Sequence, residues 1–393
     1  MLIIPLFIFP GGIYMKKLFG VLFCLVLFLN SYINVLSAEY NPKTTAKSLI
    51  LMEASTGKIL YEKNAHQSLP PASVTKIMTM LLICEAIERG EVDLQTQVTA
   101  SERAKSMGGS TIFLETNEVM SLDDLLKGIA VASANDACVA VAEHLCGSVE
   151  SFVELMNKRA GQLGMKDTNF VTCNGLDAEN HHTSAYDIAL MSRQLLKYDI
   201  IQKYTTIWMD SLRNGAFQLA NTNKLIRFYK GANGLKTGST SKAGNCISAT
   251  AKRENMQLIA VVLGCETSKE RFSEASELLN YGFANYAVVK HSEKGSKVKT
   301  IRVLNGRADS INAITDTETN VLIKKSEQDN IKVYQNIEEK LTAPIKKNEV
   351  VGELIVTLNG ETLITSPLVS DRSVKKKTSS DYFIGFFKSL LKQ

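Results

Sequence analysis

"SLPPASVTKIMTMLL", residues 68–82, sets a serine two positions after a Pro-Pro pair and a lysine three positions beyond it. Pro70 and Pro71 end an extended segment. From Ser73 the chain reads "SVTKIMTMLLICEAIER" (73–89), apolar on every helical face, and stops at Gly90. A helix of that kind is a buried one. The spacing predicts Ser73 and Lys76 on one face, within hydrogen-bond reach of each other. Serine is also a common helix-start residue, so a cap is the plain reading of Ser73 and a nucleophile is the functional one. A serine hydroxyl needs an adjacent base to take its proton. Lysine serves as that base only where desolvation or a second cation lowers its pKa. The run "VTKIMTMLL" supplies the desolvation, and a mere cap would not require an ammonium buried at such cost.

Ser-x-x-Lys alone discriminates poorly, because it occurs at Ser55, Ser73, Ser239, Ser296, Ser373 and Ser389. Two further elements set Ser73 apart. "SAN" (133–135) lies at a break between the helical stretches 121–133 and 135–147, where the hydroxyl of Ser133 and the amide of Asn135 can project into a cleft. "KTG" (236–238) opens a strand after "GANGL". Lys236 there is the second cation that would help depress Lys76 and could hold a substrate carboxylate, with Thr237 as a further donor. Gly238 would let a substrate backbone lie close to the strand.

The surrounding pattern fits one α/β domain of about 250 residues. "SLILMEASTGKILYEKNA" (48–65) reads as a hairpin, and 149–165 and 184–198 read as amphipathic helices. "GNCISATAKR" and "MQLIAVVLGC" read as paired strands turning at Glu254-Asn255, backed by a helix over 269–286. An antiparallel sheet flanked by helices is therefore expected over 39–290. Short alternating strands with Asn-Gly turns at 305–306 and 359–360 then predict a small all-β domain over 291–370. The remainder, 371–393, joins a basic stretch (Lys375, Lys376, Lys377) to an amphipathic helix from Asp381. Phe383, Phe387, Leu390 and Leu391 lie on one side of it, Phe386 borders them, and Lys388 and Lys392 lie opposite. That pattern suits a helix lying in the membrane interface on anionic headgroups.

The N-terminal 38 residues read as a secretory signal, with translation starting at Met15. Lys16 and Lys17 precede the apolar run "LFGVLFCLVLFL" (18–29), and "VLSAE" offers a cleavage site. The run is short of the roughly 20 residues that span a bilayer. The chain is thus expected to act outside the cytoplasmic membrane, in the periplasm or cell-wall space. A net charge of +5, interspersed with acidic residues, argues against nucleic-acid binding. Beyond Cys24 six cysteines remain, none in a CxxC pair and most in apolar runs, where free cysteine packs as a small hydrophobe. Cys246 and Cys265 alone fall on neighbouring strands of one hairpin. The five histidines show no metal-ligand spacing, so no metal or cofactor is expected. His181 and His182 read as loop or cap residues, Asp123, Asp124 and Glu102 as solvated or helix-start charges, and "MGGST" (107–111) as a rim of the cleft.

Taken together, Ser73-x-x-Lys76, Ser133-x-Asn135 and Lys236-Thr237-Gly238 are the motif set of penicillin-interacting serine enzymes. With "PPASVTKIMT", "SANDACVAVAEHL", "GLKTGSTSKAG", a β-rich second domain and an amphipathic end, the chain resembles the D-alanyl-D-alanine carboxypeptidases, the low-molecular-weight penicillin-binding proteins. The resemblance implies a β-lactamase/transpeptidase-like first domain and a last helix that attaches the enzyme to the membrane. It implies Ser73 as nucleophile, Lys76 as base, Ser133 as proton relay and Asn135 as a substrate-positioning group. Lys236 and Thr237 would bind the terminal carboxylate, with Arg271 where the family has a carboxylate-binding arginine. The backbone N–H groups of Ser73 and Ser239 would form the oxyanion hole; Ser239 stands where some members carry histidine. The substrate implied is a peptidoglycan stem peptide ending in D-Ala-D-Ala, with β-lactams as covalent inhibitors. A class A β-lactamase shares the motifs but uses a glutamate some thirty-odd residues after Ser-x-Asn. The corresponding stretch, "LGMKDTNFVTCNG" (163–175), has Asp167 and no glutamate. A non-catalytic penicillin-binding sensor would need a transmembrane link to a cytoplasmic partner. A transpeptidase or endopeptidase acting on cross-links shares the same motifs.

Overall fold

The computed structural model describes residues 40–390. The expected signal segment, and with it Met15 and Cys24, lies outside them, as do Leu391 and Lys392. The first strands are β1 (Ser48–Glu53) and β2 (Ile59–Lys63), the expected hairpin. After the 3-10 turn Ala72–Thr75 comes α1 (Lys76–Glu88), buried without interruption from Lys76 to Ala86. That is what an all-round apolar helix requires, since no face of it can be left to water. Next follow α2 (Leu122–Lys127), α3 (Asn135–Cys146), α4 (Val149–Gln162) and α5 (Ala185–Leu195). Serine hydroxyls of Ser121, Ser148 and Ser184 accept from N–H groups at the starts of α2, α4 and α5.

Strands β3 (Ala232–Thr240), β4 (Gly244–Arg253) and β5 (Met256–Cys265) complete an antiparallel sheet in the order β2-β1-β5-β4-β3. The turn between β4 and β5 falls at Glu254-Asn255, and Glu254 adopts a left-handed φ of 51° there. Strand β5 is central and buried on both faces. Ile259, Val261 and Leu263 point into the core that α1 and α5 fill. Leu258, on the other face, meets α6 (Ser268–Asn285). The capping box of Thr267 and Glu270 starts α6. The helix lies close against the sheet at Gly282, where a Cβ would stand 2.5 Å from Leu258 Cδ1 and 3.1 Å from Leu51 Cδ2.

From Tyr286 to Ser370 the chain is built of β-strands, with one 3-10 turn at Lys325–Asn330. Strand β6 (Tyr286–Ser292) pairs with β9 (Thr319–Lys324). A six-stranded sheet is built from β7 (Lys297–Leu304), β8 (Ser310–Thr315), β10 (Ile331–Ile337), β11 (Lys340–Thr342), β12 (Val350–Leu358) and β13 (Glu361–Ser370). Its order is β10-β12-β13-β8-β7-β11. The β12–β13 hairpin closes on Asn359-Gly360 with φ of 53° and 88°, both left-handed as a type I′ turn demands. A separate core of Ile301, Ile311, Ala313, Leu354 and Leu368 holds this part together.

Helix α7 (Ser379–Leu390) begins two residues before the expected Asp381. Its first turn is tied to the Asn305–Arg307 turn: Arg307 Nε donates to Asp381 Oδ2 at 2.9 Å, and the Tyr382 hydroxyl donates to Asn305 Oδ1 at 2.9 Å. Tyr382, Phe383 and Ile384 are exposed. Among the described residues no helix is long and apolar enough to cross a membrane.

The packing of α6 yields a test. Gly282→Ala forces a methyl into the Leu258–Leu51 contact and should cost about 1–3 kcal/mol. A urea unfolding curve should show a lower midpoint at unchanged slope.

Candidate active site

Ser73 is the second residue of the 3-10 turn that feeds α1. Pro71 occupies the N-cap position, and no side chain caps the turn. Ser73 is therefore not a capping serine, and its hydroxyl is turned instead to Lys76, whose Nζ lies 2.8 Å from Ser73 Oγ. Lys76 is fully buried. Its Nζ also contacts Asn135 Oδ1 at 2.7 Å and the backbone carbonyl of Asn174 at 2.6 Å. The amide of Asn135 has one consistent orientation, because its Nδ2 donates to the Gly108 carbonyl at 2.7 Å. Both other partners of Lys76 can only accept. A neutral amine thus spends its two N–H groups on them and turns its lone pair to the Ser73 hydroxyl.

Electrostatics favour that neutral form. Burial lowers the Lys76 pKa from its ordinary 10.5. The Cys138 and Cys173 thiols beside it are themselves pushed up by burial, so they stay protonated and carry no opposing charge at neutral pH. Asp136 is the one nearby anion that works against the shift. Its carboxylate is buried and accepts from the N–H groups of Ile112, Leu114 and Ala137. It thereby pins the 107–114 loop, which Asn135 also grips through Gly108 and through its own N–H to Ser110. Lys236 is buried too. Burial first, then the neighbouring charge of Lys76, holds it well below 10.5. Burial leads for both lysines, as the apolar run around Lys76 suggested, and the help expected from Lys236 is expressed instead as repulsion on Lys236 itself.

Strand β3 is an edge strand, with Lys236 paired to Ser248 and Gly238 to Cys246. A Cβ at Gly238 would lie 2.9 Å from Ser73 N and 3.0 Å from both Ala72 Cβ and Pro71 O. The glycine is thus needed for the approach of the Ser73 turn itself, a nearer constraint than the substrate backbone that the sequence suggested. Thr237 donates its hydroxyl to Thr222 Oγ1 at 2.7 Å, and Thr240 donates to Asp177 at 2.8 Å. Arg271 is buried, and its Nη1 donates to the Gly238 carbonyl at 2.9 Å and the Cys246 carbonyl at 3.4 Å. It reaches the site by bracing the Lys-Thr-Gly strand from behind.

Ser133 interrupts the helical run. A wide π turn, Gly128–Ala132, follows α2, and Ser133 then takes φ 65° and ψ 33°, so that α3 restarts at Asn135. Left-handed backbone at a residue with a side chain is uncommon and concentrates at functional sites. Ser133 is buried, two residues from Asn135, and makes no direct hydrogen bond to Lys76.

Three residues of the site carried no signal in the sequence: Asn174, which acts through its carbonyl, Thr222, and His181. His181 does lie in the loop before α5, as read, but it is buried and hydrogen-bonded at both ring nitrogens. Cys246 and Cys265 are free, as are the other described cysteines.

Residues 35–267 match the D-alanyl-D-alanine carboxypeptidase family, and 286–376 match the penicillin-binding protein 5 C-terminal domain. This chain belongs to the D-alanyl-D-alanine carboxypeptidase family. It is 42% identical over 371 residues to D-alanyl-D-alanine carboxypeptidase DacF of Bacillus subtilis, covering 92% of this chain and 95% of that one. The crystal structure of penicillin-binding protein 5 from Haemophilus influenzae superposes with a TM-score of 0.74 at 34% identity, over 86% of this chain and all of that one. Penicillin-binding protein D2 of Listeria monocytogenes in its ampicillin-bound form covers 62% of this chain and all of its own, with a TM-score of 0.57 at 30% identity. The expected fold class, a transpeptidase-like sheet domain followed by a small β domain, is the fold of these carboxypeptidase relatives.

Proposed function

We propose that this carboxypeptidase removes the terminal D-alanine from peptidoglycan stem pentapeptides through an acyl-enzyme on Ser73. The observation that carries the reading is the arrangement around Lys76, with two acceptor-only oxygens on its N–H groups and its lone pair on the Ser73 hydroxyl. Ser73 Oγ attacks the carbonyl carbon of the D-Ala-D-Ala bond while Lys76 takes its proton. The N–H groups of Ser73 and Ser239 receive the oxyanion, each such donor supplying on the order of 3 kcal/mol of transition-state stabilisation. The C–N bond breaks, Ser133 relays the proton to the departing D-alanine amine, and water then cleaves the ester to release the shortened peptide. Asn135 orients the substrate amide. Lys236 binds the terminal carboxylate, Thr237 adds a second donor by turning its hydroxyl proton from Thr222 to the substrate, and Arg271 supports them by holding the Gly238 carbonyl.

A β-lactam follows the same first step, but the broken amide stays tethered, so the acyl-enzyme persists. Ampicillin bound to the Listeria relative supports this part of the reading. Against a β-lactamase stands the segment 163–175, which reaches Lys76 through the Asn174 carbonyl and carries no glutamate to activate a deacylating water. The substrate places the enzyme outside the cytoplasmic membrane, consistent with the signal-like N-terminus. The exposed Tyr382, Phe383 and Ile384 of α7, next to Lys375, Lys376 and Lys377, support a helix seated on the membrane surface.

Incubation of the protein with a stem pentapeptide should release one alanine, read by mass, and Ser73→Ala should abolish both that release and covalent penicillin labelling. Cross-linked dimers as the main product, or labelling that survives in Ser73→Ala, would overturn the assignment. For the tail, a chain ending before Lys375 should remain in the supernatant with vesicles containing anionic lipid, whereas the full chain sediments with them. Equal sedimentation of the two would exclude α7 as the anchor.

A further inference from the structure

We infer that His181 is a positioning residue for the nucleophile, acting through Thr75 on the carbonyl of Ala72; the inference rests on Ser73 being that nucleophile. Ala72, directly before Ser73, adopts a left-handed φ of 49°, which a residue with a side chain rarely holds unless its surroundings impose it. Two contacts impose it. The Thr75 hydroxyl donates to the Ala72 carbonyl at 2.8 Å. Gly175 packs against the same carbonyl so closely that a Cβ there would lie 1.9 Å from the oxygen.

His181 sets the direction of the first contact. Its Nδ1 accepts from the N–H of Val171 at 2.9 Å, so Nδ1 carries no proton and Nε2 does. Nε2 lies 2.9 Å from Thr75 Oγ1 and must be the donor to it. With its oxygen already engaged by the imidazole, Thr75 directs its own proton to Ala72. The chain of bonds runs from Val171 through His181 and Thr75 to Ala72 and leaves no freely rotating hydroxyl. Burial, which brings His181 down to about 4, keeps the ring neutral and this pattern intact at neutral pH. Two residues on, Thr183 exchanges both backbone hydrogen bonds with Leu69, at 2.8 and 2.9 Å. Residues 181–183 therefore hold the Pro70-Pro71 turn on both sides of Ser73. His181 is not itself a base for Ser73: its proton is committed to Thr75, and Thr75's to Ala72.

The test is the acylation of the full chain by a fluorescent penicillin, resolved into non-covalent affinity and the first-order acylation step. Thr75→Val should slow acylation about tenfold or more with affinity nearly unchanged, because the loss is one of nucleophile placement. Thr75→Ser, which keeps the hydroxyl, should restore most of the rate. At position 181, glutamine keeps a donor near the Nε2 position and asparagine keeps only an acceptor near Nδ1. His181→Gln should therefore acylate faster than His181→Asn. That comparison stands even if Thr75→Val does not fold. Where it does, the double variant Thr75→Val/His181→Asn should be no slower than the slower single one. Losses that multiply, or variants that melt earlier yet acylate at the normal rate, would overturn the inference. Ser73→Ala separates the two levels: labelling that persists there refutes the nucleophile, whereas labelling that disappears there, with normal acylation in the position-181 variants, refutes only the role of His181.

Discussion

A lysine amine buried in the first turn of an all-apolar helix is the constraint on which the rest of this molecule depends. Leaving an ammonium there without partners would cost far more than any single contact returns. Three oxygens meet Lys76, one each from Ser73, Asn135 and the backbone at Asn174. Each comes from a different segment, and each segment must be shaped to arrive. The helical run before Asn135 opens into a π turn and a left-handed Ser133. The 173–175 loop passes so close to the Ser73 turn that only glycine fits at position 175. The same burial that makes the site costly to build is what lowers the lysine pKa and so favours the neutral amine, the form that can accept a proton.

The Lys-Thr-Gly strand meets this cluster at its nucleophile. As an edge strand, β3 has one side free of sheet partners, and the missing side chain of Gly238 lets the Ser73 amide come against it. Arg271 stiffens the arrangement from the far side by holding the Gly238 carbonyl. Lys236 adds a second buried cation, so the pair must share a low-dielectric site in which both cannot easily stay charged.

Much of this was legible in the sequence, for reasons that differ by element. Helix α1 announced itself because no polar face interrupts its run, and the Ser-Lys spacing is a local property of any helix. The Asn359-Gly360 turn was legible because two successive left-handed residues admit few side chains. Strands β8 and β11 were not, since "SINAIT" carries few large apolar residues and "KLT" is only three residues long. Asn174 was invisible for a deeper reason: it contributes a backbone carbonyl, a group every residue has, so no residue type marks the position. His181 and Thr222 act on other side chains across the fold, and no spacing along the chain records such a contact. Gly238 was legible as a close approach, but the structure alone shows which backbone approaches.

The central claim is that Lys76 works as a neutral amine because it is buried. It is tested most directly by the pH dependence of the acylation rate of Ser73 with a β-lactam. The burial that lowers the Lys76 value predicts a rate that rises with pH and levels off below 10.5. A rate that climbs without a plateau until pH 10.5, as an ordinary solvated lysine would give, would contradict the account.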